Sequence, residues 1–470
     1  MRQYDVIIIG AGIGGLFSGC HLAKQGKRVL IIESHDKPGG CISSIKRMDA
    51  IFDVGAHLIG SCGSNGIFNR YLRELDVNVN FIQLNPTDRF HFPNRTIDVP
   101  QNIDEFKLTL QNIFPDEADM VNPFFKEMLR IASHFDNKKI LDLYQEISYE
   151  QLLDRYFKSS ELKGILSAQY NYIGVSPKRA SALAMCLMLS SYLKDGCFYV
   201  KGGSQNLPNK LADRFIELGG RIIYKTRVVK ITVNNNIGSN VCTNDFNKYE
   251  SDFIISNIDA RKTLFNLVGK EHLPVDYVKK VEHYSIGPSF FLIFLTVDIK
   301  TEYLENVSGW YHSSYDLNNI ATESFYLFVP TIFDKSLHEK GYHIIEMAMP
   351  FHYEYNKVID WSEMKTRFEN IMINRASNII KNLKESIVYK FIATPATIER
   401  FTGNSKGSMC GWEMSVDQVQ RHRLGNVTPI KNMFLVGHWT KPGCGIVSVA
   451  TSGWKVSKEL ENLDYHGACI

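Results

Sequence analysis

The sequence predicts an α/β fold with two domains: a parallel sheet flanked by helices, and an α+β domain built on a mixed sheet. Two apolar runs predict the parallel sheet, because Tyr4–Ile9 ends in a glycine turn and residues 28–32 end at Glu33. Length is the third observation, since 470 residues exceed the roughly 250–300 at which a single core usually divides.

The first predicted strand runs into a glycine turn and then into a helix. Gly10, Gly12 and Gly15 form the pattern G-x-G-x-x-G, and the helix closes near Gly26. In such a turn one glycine permits the bend, one lets main chain approach a pyrophosphate, and one lets helix and strand pack closely. The N-terminus of the helix supplies free N–H groups and a positive dipole, so the turn predicts an anion site.

Glu33 ends the second predicted strand, 23 positions after the first glycine of the turn. An acidic side chain in this place can bond the ribose hydroxyls of an adenosine. Strand, glycine turn, helix, strand and acid together predict a Rossmann-type dinucleotide site. The alternative is a glycine-rich turn in a βαβ unit that binds nothing.

Composition and charge exclude several classes of protein. The formal net charge is only +3 and no lysine or arginine run stands out, so no nucleic-acid surface is expected. No secretory signal and no run of about 18 apolar residues is visible, so we expect a cytoplasmic protein, with peripheral membrane contact left open. Nine cysteines without a C-x-x-C pair predict neither a metal site nor a disulfide framework.

Three later segments look as though they complete the first domain: residues 38–60, 199–231 and 432–460. Each combines glycines with a short predicted strand or helix. A strand meets a turn at 52–57, a helix covers about 207–218 before another strand, and a strand at 433–436 precedes a helix at 446–460. We therefore assign residues 1–70, 196–270 and 425–470 to the dinucleotide-binding domain.

Residues 71–195 and 271–424 are left for the substrate domain. The first stretch contains the hairpin FHFPNRTIDV and is otherwise mostly helical. The second alternates strand-like runs at 290–297, 324–329, 343–349 and 388–393 with a helix at about 361–383. A mixed sheet backed by helices is predicted, with a ligand pocket at the domain interface.

In order and spacing, the glycine segments resemble the flavin-dependent phytoene desaturase, carotenoid isomerase and retinol saturase group of the amine-oxidase-like FAD superfamily. The resemblance covers nearly the whole chain, including residues 152–181 and 394–415. The carotenoid-isomerase branch is the most similar, because of the second of these stretches and the GHW-x-x-PG-x-G turn near residue 440.

The resemblance implies non-covalently bound FAD. The first glycine turn would hold the pyrophosphate, Glu33 the ribose, and the turn after residue 436 the flavin ring, with the following helix directing its dipole at the pyrimidine end. The implied FAD-binding residues are Gly10, Gly12, Gly14, Gly15, Glu33, Ser34, Gly39, Gly40, Cys41, Val228, Gly437, Gly445 and Ile446.

The implied catalytic residues are fewer. His57, His438 and Cys444 are candidates, and Trp412 and Trp439 are expected to line the substrate pocket. Cys444 replaces a common glycine in the PG-x-G turn, so a covalent flavin bond or a redox thiol is an alternative to a small residue in a tight bend. The sequence offers no well-placed general base, as suits a site that mainly positions a C–C bond.

The resemblance implies an FAD-dependent oxidoreductase that desaturates, saturates or isomerises an apolar polyene or acyl-like substrate, with hydride passing to or from flavin N5. Oxygen or a quinone is the expected electron acceptor, and a carrier-bound substrate is left open. One alternative is a flavin oxidase of C–N bonds. Another is a non-catalytic lipid- or prenyl-binding protein like the Rab GDP-dissociation inhibitors, which share a related fold.

Overall fold

The computed structural model describes residues 3–318, 324–351 and 359–465, so residues 466–470 at the end of the predicted dinucleotide-binding domain, including Cys469, lie outside the described residues. Its strands are β1 Tyr4–Ile9, β2 Val29–Ile32, β3 Ser44–Arg47, β4 Ala50–Asp53, β5 Leu58–Gly60, β6 Phe81–Gln83, β7 Asp88–Phe92, β8 Arg95–Val99, β9 Cys197–Val200, β10 Arg221–Ile223, β11 Val228–Asn234, β12 Ile237–Thr243, β13 Lys248–Ser256, β14 Ser289–Val297, β15 Gly309–His312, β16 Ser324–Phe328, β17 His343–Phe351, β18 Ile387–Ala393 and β19 Met433–Leu435. Its helices are α1 Ile13–Lys24, α2 Ile67–Glu74, α3 Ile103–Ile113, α4 Ala118–Ser133, α5 Lys138–Tyr144, α6 Tyr149–Asp154, α7 Ser160–Ser167, α8 Ala182–Leu193, α9 Asn206–Glu217, α10 Val275–His283, α11 Trp361–Ser377, α12 Pro395–Thr402 and α13 Ile446–Tyr465.

The first sheet contains the predicted βαβ unit. Its strand order is β10-β2-β1-β13-β12-β11, and β19 pairs with the C-terminal half of β13. Strands β10, β2, β1, β13 and β19 are parallel, whereas β11 and β12 form an antiparallel extension. The prediction of a parallel sheet with flanking helices is confirmed.

Alternation along β1 shows why this sheet is buried on both faces. Val6 and Ile8 pack against α1, α9 and α13, while Ile7 and Ile9 pack on the opposite face among residues of β11 and of the segment before β19. The carboxyl ends of β1, β2 and β13 meet at one edge of the sheet. Ligands of open α/β sheets bind at that edge.

The second sheet lies in the part of the chain that the sequence assigns to the substrate domain. Its order is β18-β14-β17-β16-β15-β7-β8, and every pairing is antiparallel except that of β15 with β7. Ile293 and Leu295 of β14 face α11, whereas Phe294 faces the core formed with α3 to α8. A mixed sheet, discontinuous in sequence and backed by helices, is therefore confirmed.

Two small sheets lie between the large ones. Hairpin β3–β4 follows the second glycine pair, and the three-stranded sheet β5-β9-β6 follows the hairpin. Phe52 of β4 meets Phe294 and Phe391 of the second sheet at ring distances of 6.0 and 5.0 Å. The hairpin thus connects the glycine edge of the first sheet to the substrate domain.

One predicted element is confirmed and another extends too far. The strand expected to meet a turn within residues 52–57 ends at Asp53, and in the following turn the Ala56 amide donates to the Cys41 carbonyl at 3.0 Å. The helix expected to reach residue 383 ends at Ser377, and Asn382 beyond it has φ +58°, which cannot continue a right-handed helix. No helix in the described part of the chain combines the length and apolar character needed to cross a membrane.

Candidate active site

The first glycine turn joins β1 to α1 at the carboxyl edge of the sheet. Gly10 has φ +96°, in the left-handed region that favours glycine. A Cβ added at Gly15 would lie 2.2 Å from the Gly10 carbonyl oxygen, so only glycine allows the helix this close to the strand. Gly12 is the N-cap of α1, so the first N–H groups of the helix open onto this turn.

The second glycine pair packs directly on the first turn. The Gly39 amide donates to the Ala11 carbonyl at 2.9 Å, and Gly12 and Gly39 form a parallel bridge. A Cβ added at Gly40 would lie 3.4 Å from Gly12 Cα. Segments that are nearly thirty residues apart therefore form one glycine-lined surface.

Glu33 lies beside this surface at the end of β2. Its carboxylate accepts the Ala11 amide at 2.7 Å and the His35 amide at 2.8 Å, and the Ser34 hydroxyl donates to it at 3.2 Å. Oε1 accepts both the His35 amide and the Ser34 hydroxyl, whereas Oε2 accepts only the Ala11 amide and retains a second lone pair for a ribose hydroxyl. The Glu33 carbonyl accepts the Thr226 amide at 2.9 Å, which brings the start of β11, Val228, to the same edge.

Asn257 lies at the centre of the glycine surface, and the sequence reasoning missed it. It follows β13, and its side-chain amide donates to the Gly10 carbonyl at 3.3 Å. Cβ atoms added at Gly12, Gly14 or Gly437 would lie 2.6–3.0 Å from the Asn257 side chain. An asparagine directly after a buried strand of a dinucleotide-binding sheet was the signal that could have identified it.

The third glycine turn, residues 437–445, closes the surface from the other side. The Val436 amide donates to the Ser256 carbonyl at 2.9 Å, and a Cβ added at Gly14 would lie 3.3 Å from the Gly437 amide. Gly445 has φ +96°, an added Cβ there would lie 4.0 Å from Ser448 Oγ, and Ile446 begins α13. The structure thus brings the predicted glycine segments together.

Arg423 fixes the shape of this turn and was also missed. Its side chain is buried and donates to main-chain carbonyls of Thr440 at 3.0 Å, Glu413 at 3.2 Å and His438 at 2.5 Å. Burial lowers the pKa of Arg423 to about 10. One cation therefore ties the 412–414 segment to the 438–440 segment.

The residues present fit a dinucleotide cofactor. Side-chain-free main chain from three segments converges at the start of α1, where anions bind. Two buried polar atoms near the third turn, Trp412 Nε1 and His438 Nε2, have no partner among the described residues. Within the same described residues, no group of three or more His, Cys, Asp and Glu side chains is arranged to hold a metal ion.

Comparison with known proteins decides the family. The family model described as "Flavin containing amine oxidoreductase" matches residues 13–460. The chain belongs to the flavin containing amine oxidoreductase family.

Curated members similar to this chain are named as enzymes of carotenoids and retinol. Prolycopene isomerase from Arabidopsis thaliana is 26% identical, covering 96% of this chain and 81% of its own. The 4,4'-diapophytoene desaturase of Staphylococcus aureus is 25% identical, covering 95% and 96%. All-trans-retinol 13,14-reductase from Danio rerio is 22% identical, covering 99% and 87%. These names confirm the resemblance found in the motifs.

Solved structures show the same fold. An oxidoreductase from Methanosarcina mazei superposes with a TM-score of 0.72 at 18% identity, covering 97% of this chain and 100% of its own. Putrescine oxidase superposes with a TM-score of 0.69 at 15% identity, covering 98% and 99%. The α/β fold of this flavin amine oxidoreductase family member is thereby confirmed.

The two tryptophans predicted to line the pocket of this family member pack against each other. Trp412 and Trp439 meet edge to face with ring centroids 4.7 Å apart, and both are almost fully buried. Trp439 Nε1 donates to Asn404 Oδ1 at 3.1 Å, and Asn404 Nδ2 lies 3.5 Å from Cys41 Sγ. Burial raises the pKa of Cys41 to about 11, so this thiol stays protonated at neutral pH.

Cys444 of this flavin-family turn contacts a second thiol. A side-chain hydrogen bond with Cys410 lowers the pKa of Cys444 and raises that of Cys410, and Arg423 lowers the pKa of Cys444 further. His438 in the same turn is neutral near pH 7, because burial lowers its pKa to about 3. The neutral imidazole can accept or donate a hydrogen bond, but it lacks the second ring proton that an imidazolium could give to a substrate.

His57 of this family member lies against the second sheet. Its ring stacks on Phe328 with centroids 5.0 Å apart, and Nδ1 contacts the Gly55 carbonyl at 3.1 Å. Nδ1 is also 3.7 Å from Glu346 Oε2, on β17. Glu346 is a further group missed at the sequence level, although an acid inside the apolar run HIIEMAMPF was a visible signal.

Proposed function

We propose that this protein is an FAD-dependent enzyme that acts on C–C bonds of a conjugated polyene, by desaturation, saturation or isomerisation. The observation that carries the proposal is the convergence of three glycine segments with Glu33 in a chain whose family is flavin-dependent. The substrate class is supported by the relatives, which are named for prolycopene, diapophytoene and retinol. An acyl-like substrate is an alternative that would undergo the same C–C bond chemistry.

An aromatic wall on the second sheet supports an apolar, elongated substrate. Trp310 and Tyr326 have ring centroids 5.0 Å apart, Tyr326 and Phe328 6.1 Å, and Phe328 and His57 5.0 Å. At the other end Tyr172 meets Trp310 at 5.6 Å. A continuous row of ring faces and edges is suited to packing against a flat polyene.

In this proposal FAD is bound non-covalently. The first turn and Asn257 would meet its pyrophosphate, Glu33 its ribose, Val228 its adenine, and the third turn its ring. Bound FAD supplies hydride acceptance or donation at N5. The protein's own residues then hold the polyene against the ring and exclude water. Cys444 is the residue that a covalent bond would use, so flavin released by acid precipitation supports the non-covalent assignment.

The alternatives are supported less well. Amine oxidases appear among the structural neighbours at 14–15% identity, which reflects the fold alone. A non-catalytic prenyl-binding role draws no support from the curated relatives named above, which carry enzyme names. Oxygen or a quinone as acceptor, a cytoplasmic location, peripheral membrane contact and a carrier-bound substrate all stay proposals.

The test is anaerobic mixing of FAD-loaded protein with candidate polyenes, followed by flavin absorbance and mass spectrometry. A mass change of about two units with flavin reduction or oxidation indicates redox chemistry. An unchanged mass with altered polyene absorption indicates isomerisation. Flavin bleaching by amines and not by polyenes would establish the C–N alternative, and colourless protein that takes up no FAD would overturn the proposal.

A further inference from the structure

Glu346 is an acid on the aromatic side of an otherwise apolar strand. Along β17, Ile345 and Met347 point into the core beneath α11. Glu346 points to the opposite face, toward β4 and the turn that follows it, and is 4% exposed. Burying a carboxyl costs free energy unless its oxygens have hydrogen-bond partners.

The contacts leave one oxygen of Glu346 free. Oε1 accepts the Asp53 amide at 2.9 Å. Oε2 has no hydrogen-bond partner among the described residues, and its neighbour is His57 Nδ1 at 3.7 Å. Because Nδ1 also lies 3.1 Å from the Gly55 carbonyl, the neutral ring carries its proton there and cannot accept one from Glu346.

The surrounding charges keep a proton on Glu346. Burial and the Asp53 carboxylate raise the pKa of Glu346 well above its usual range. Asp53 is satisfied as an acceptor, because it receives the hydroxyls of Ser44 and Ser204, the Ser204 amide and the Tyr199 hydroxyl at 2.5–2.9 Å. The titratable groups that face Glu346 are Asp53 on β4, His57 in the next turn, Tyr199 on β9 and Tyr326 on β16.

A short chain of contacts links this carboxyl to the third glycine turn. Trp439 donates to Asn404 at 3.1 Å, and Asn404 lies 3.5 Å from Cys41 Sγ. The Cys41 carbonyl accepts the amide of Ala56 at 3.0 Å, and the next residue is His57. The carboxyl therefore lies where the aromatic wall meets the segment that the proposed function places along the flavin.

We propose that Glu346 is the acid that protonates the polyene, with His57 as the positioning residue that stabilises the carboxylate left behind. The inference rests on the proposed function and selects within it. A carboxyl that rests protonated can begin a reaction by giving a proton and cannot begin one by taking it. This favours isomerisation or saturation over desaturation, which needs a base.

The proton step balances without an external oxidant. The O–H bond at Oε2 breaks and a C–H bond forms at one carbon of a C=C bond, so the electron pair of that double bond is consumed. Positive charge spreads along the polyene, the former double bond rotates, and negative charge rests on Glu346 beside the His57 N–H. Return of a proton from carbon to the carboxylate restores a double bond with no net oxidation.

The first experiment needs no substrate. Infrared spectra of the protein at pH 7 are expected to show a protonated carboxyl band that Glu346→Gln removes. The Asp53 amide can still donate to the side-chain oxygen of the glutamine. Loss of FAD retention or of cooperative unfolding in Glu346→Gln would mark a folding defect, and Glu346→Met then serves as the second variant. An unchanged band in both variants overturns the inference, whatever the substrate.

The second experiment uses single turnovers with FAD-loaded protein. Glu346→Gln is expected to slow the polyene reaction by roughly 100- to 10,000-fold without loss of flavin. The wild-type rate should fall as pH rises through the pKa of Glu346. His57→Phe should lower the product yield and move that fall in rate to higher pH. Glu127→Gln, a half-buried acid on α4 that bonds Arg130 and lies away from the aromatic wall, is the control and should leave the rate unchanged.

The outcomes separate the two proposals. If wild-type protein binds FAD but converts no polyene, the proposed function fails while the infrared result still decides the protonation of Glu346. If wild-type protein is active and Glu346→Gln matches it, or if the rate rises with pH across the same range, the acid assignment is wrong and the proposed function stands.

Discussion

A side chain at Gly12 should weaken cofactor binding without disturbing the fold. Its φ of −74° is extended backbone that any residue adopts, so substitution does not strain the chain. An added Cβ would lie 2.8 Å from the Asn257 amide, inside the surface proposed for the pyrophosphate. We expect Gly12→Val to fold but to lose flavin, as measured by absorbance after gel filtration. Gly425→Val, where nothing lies within 4 Å of the new Cβ, should stay yellow.

Glu33 should contribute the strength of one or two charged hydrogen bonds to the free energy of FAD binding. We expect Glu33→Ala to weaken FAD binding by about 1–3 kcal/mol, because the ribose loses a charged acceptor and the Ala11 amide loses its partner. Titration calorimetry of the apoprotein measures the change. Asp36→Ala removes an exposed acid three residues later and should bind FAD normally, and equal affinities for both variants would remove Glu33 from the site.

Residues with a spacing motif were predicted from the sequence, and residues without one were missed. The glycines and Glu33 carry a spacing rule that follows from the geometry of a strand, a turn and a helix. Asn257 and Glu346 carry none, because their roles depend on which distant strand lies beside them. Asn257 reaches Gly10 only through the pairing of β1 with β13, across 247 positions of sequence.

At the scale of elements, the third glycine turn depends on a cation whose hydrogen bonds go mainly to main-chain carbonyl groups. Arg423 presents a planar fork to three segments, and lysine cannot reproduce that fork. We expect Arg423→Lys to lower the free energy of unfolding by about 2–4 kcal/mol, because several carbonyls lose a charged donor in a buried place. Denaturant unfolding with and without FAD measures this. Arg421→Lys, exposed and paired with Asp142, is the control and should unfold like wild type.

Element types could be predicted more reliably than element ends. β14 spans Ser289–Val297 and α13 begins at Ile446, as their apolar patterns indicate. Ends depend on contacts that no local pattern records. The strand before His57 stops at Asp53 because Cys41, twelve residues earlier, accepts the Ala56 amide. That stop places His57 beside Glu346.

At the scale of the whole molecule, four buried or half-buried histidines should make the protein sensitive to acid. Burial lowers the pKa of His21 and His91 to about 4, and of His312 and His438 to about 3. Between those values and about 6.5 the unfolded chain binds protons that the native state does not, so stability falls as pH drops. Asp88, whose pKa burial raises to about 6, and Glu346 oppose this trend, because the native state keeps their protons.

The histidines outnumber those two carboxyls, so we expect unfolding temperature to drop from pH 6.5 to pH 5. Each buried histidine contributes about 1.4 kcal/mol per pH unit to the slope. His21→Phe is the sharpest variant, since Nδ1 of His21 has no partner in the described part of the chain and its ring packs edge-on against Trp454, 4.6 Å away. We expect this variant to lose one histidine's share of the slope, whereas His283→Phe, exposed at the end of α10, should keep the wild-type slope. Parallel pH profiles for wild type and His21→Phe would show that His21 is protonated equally in both states.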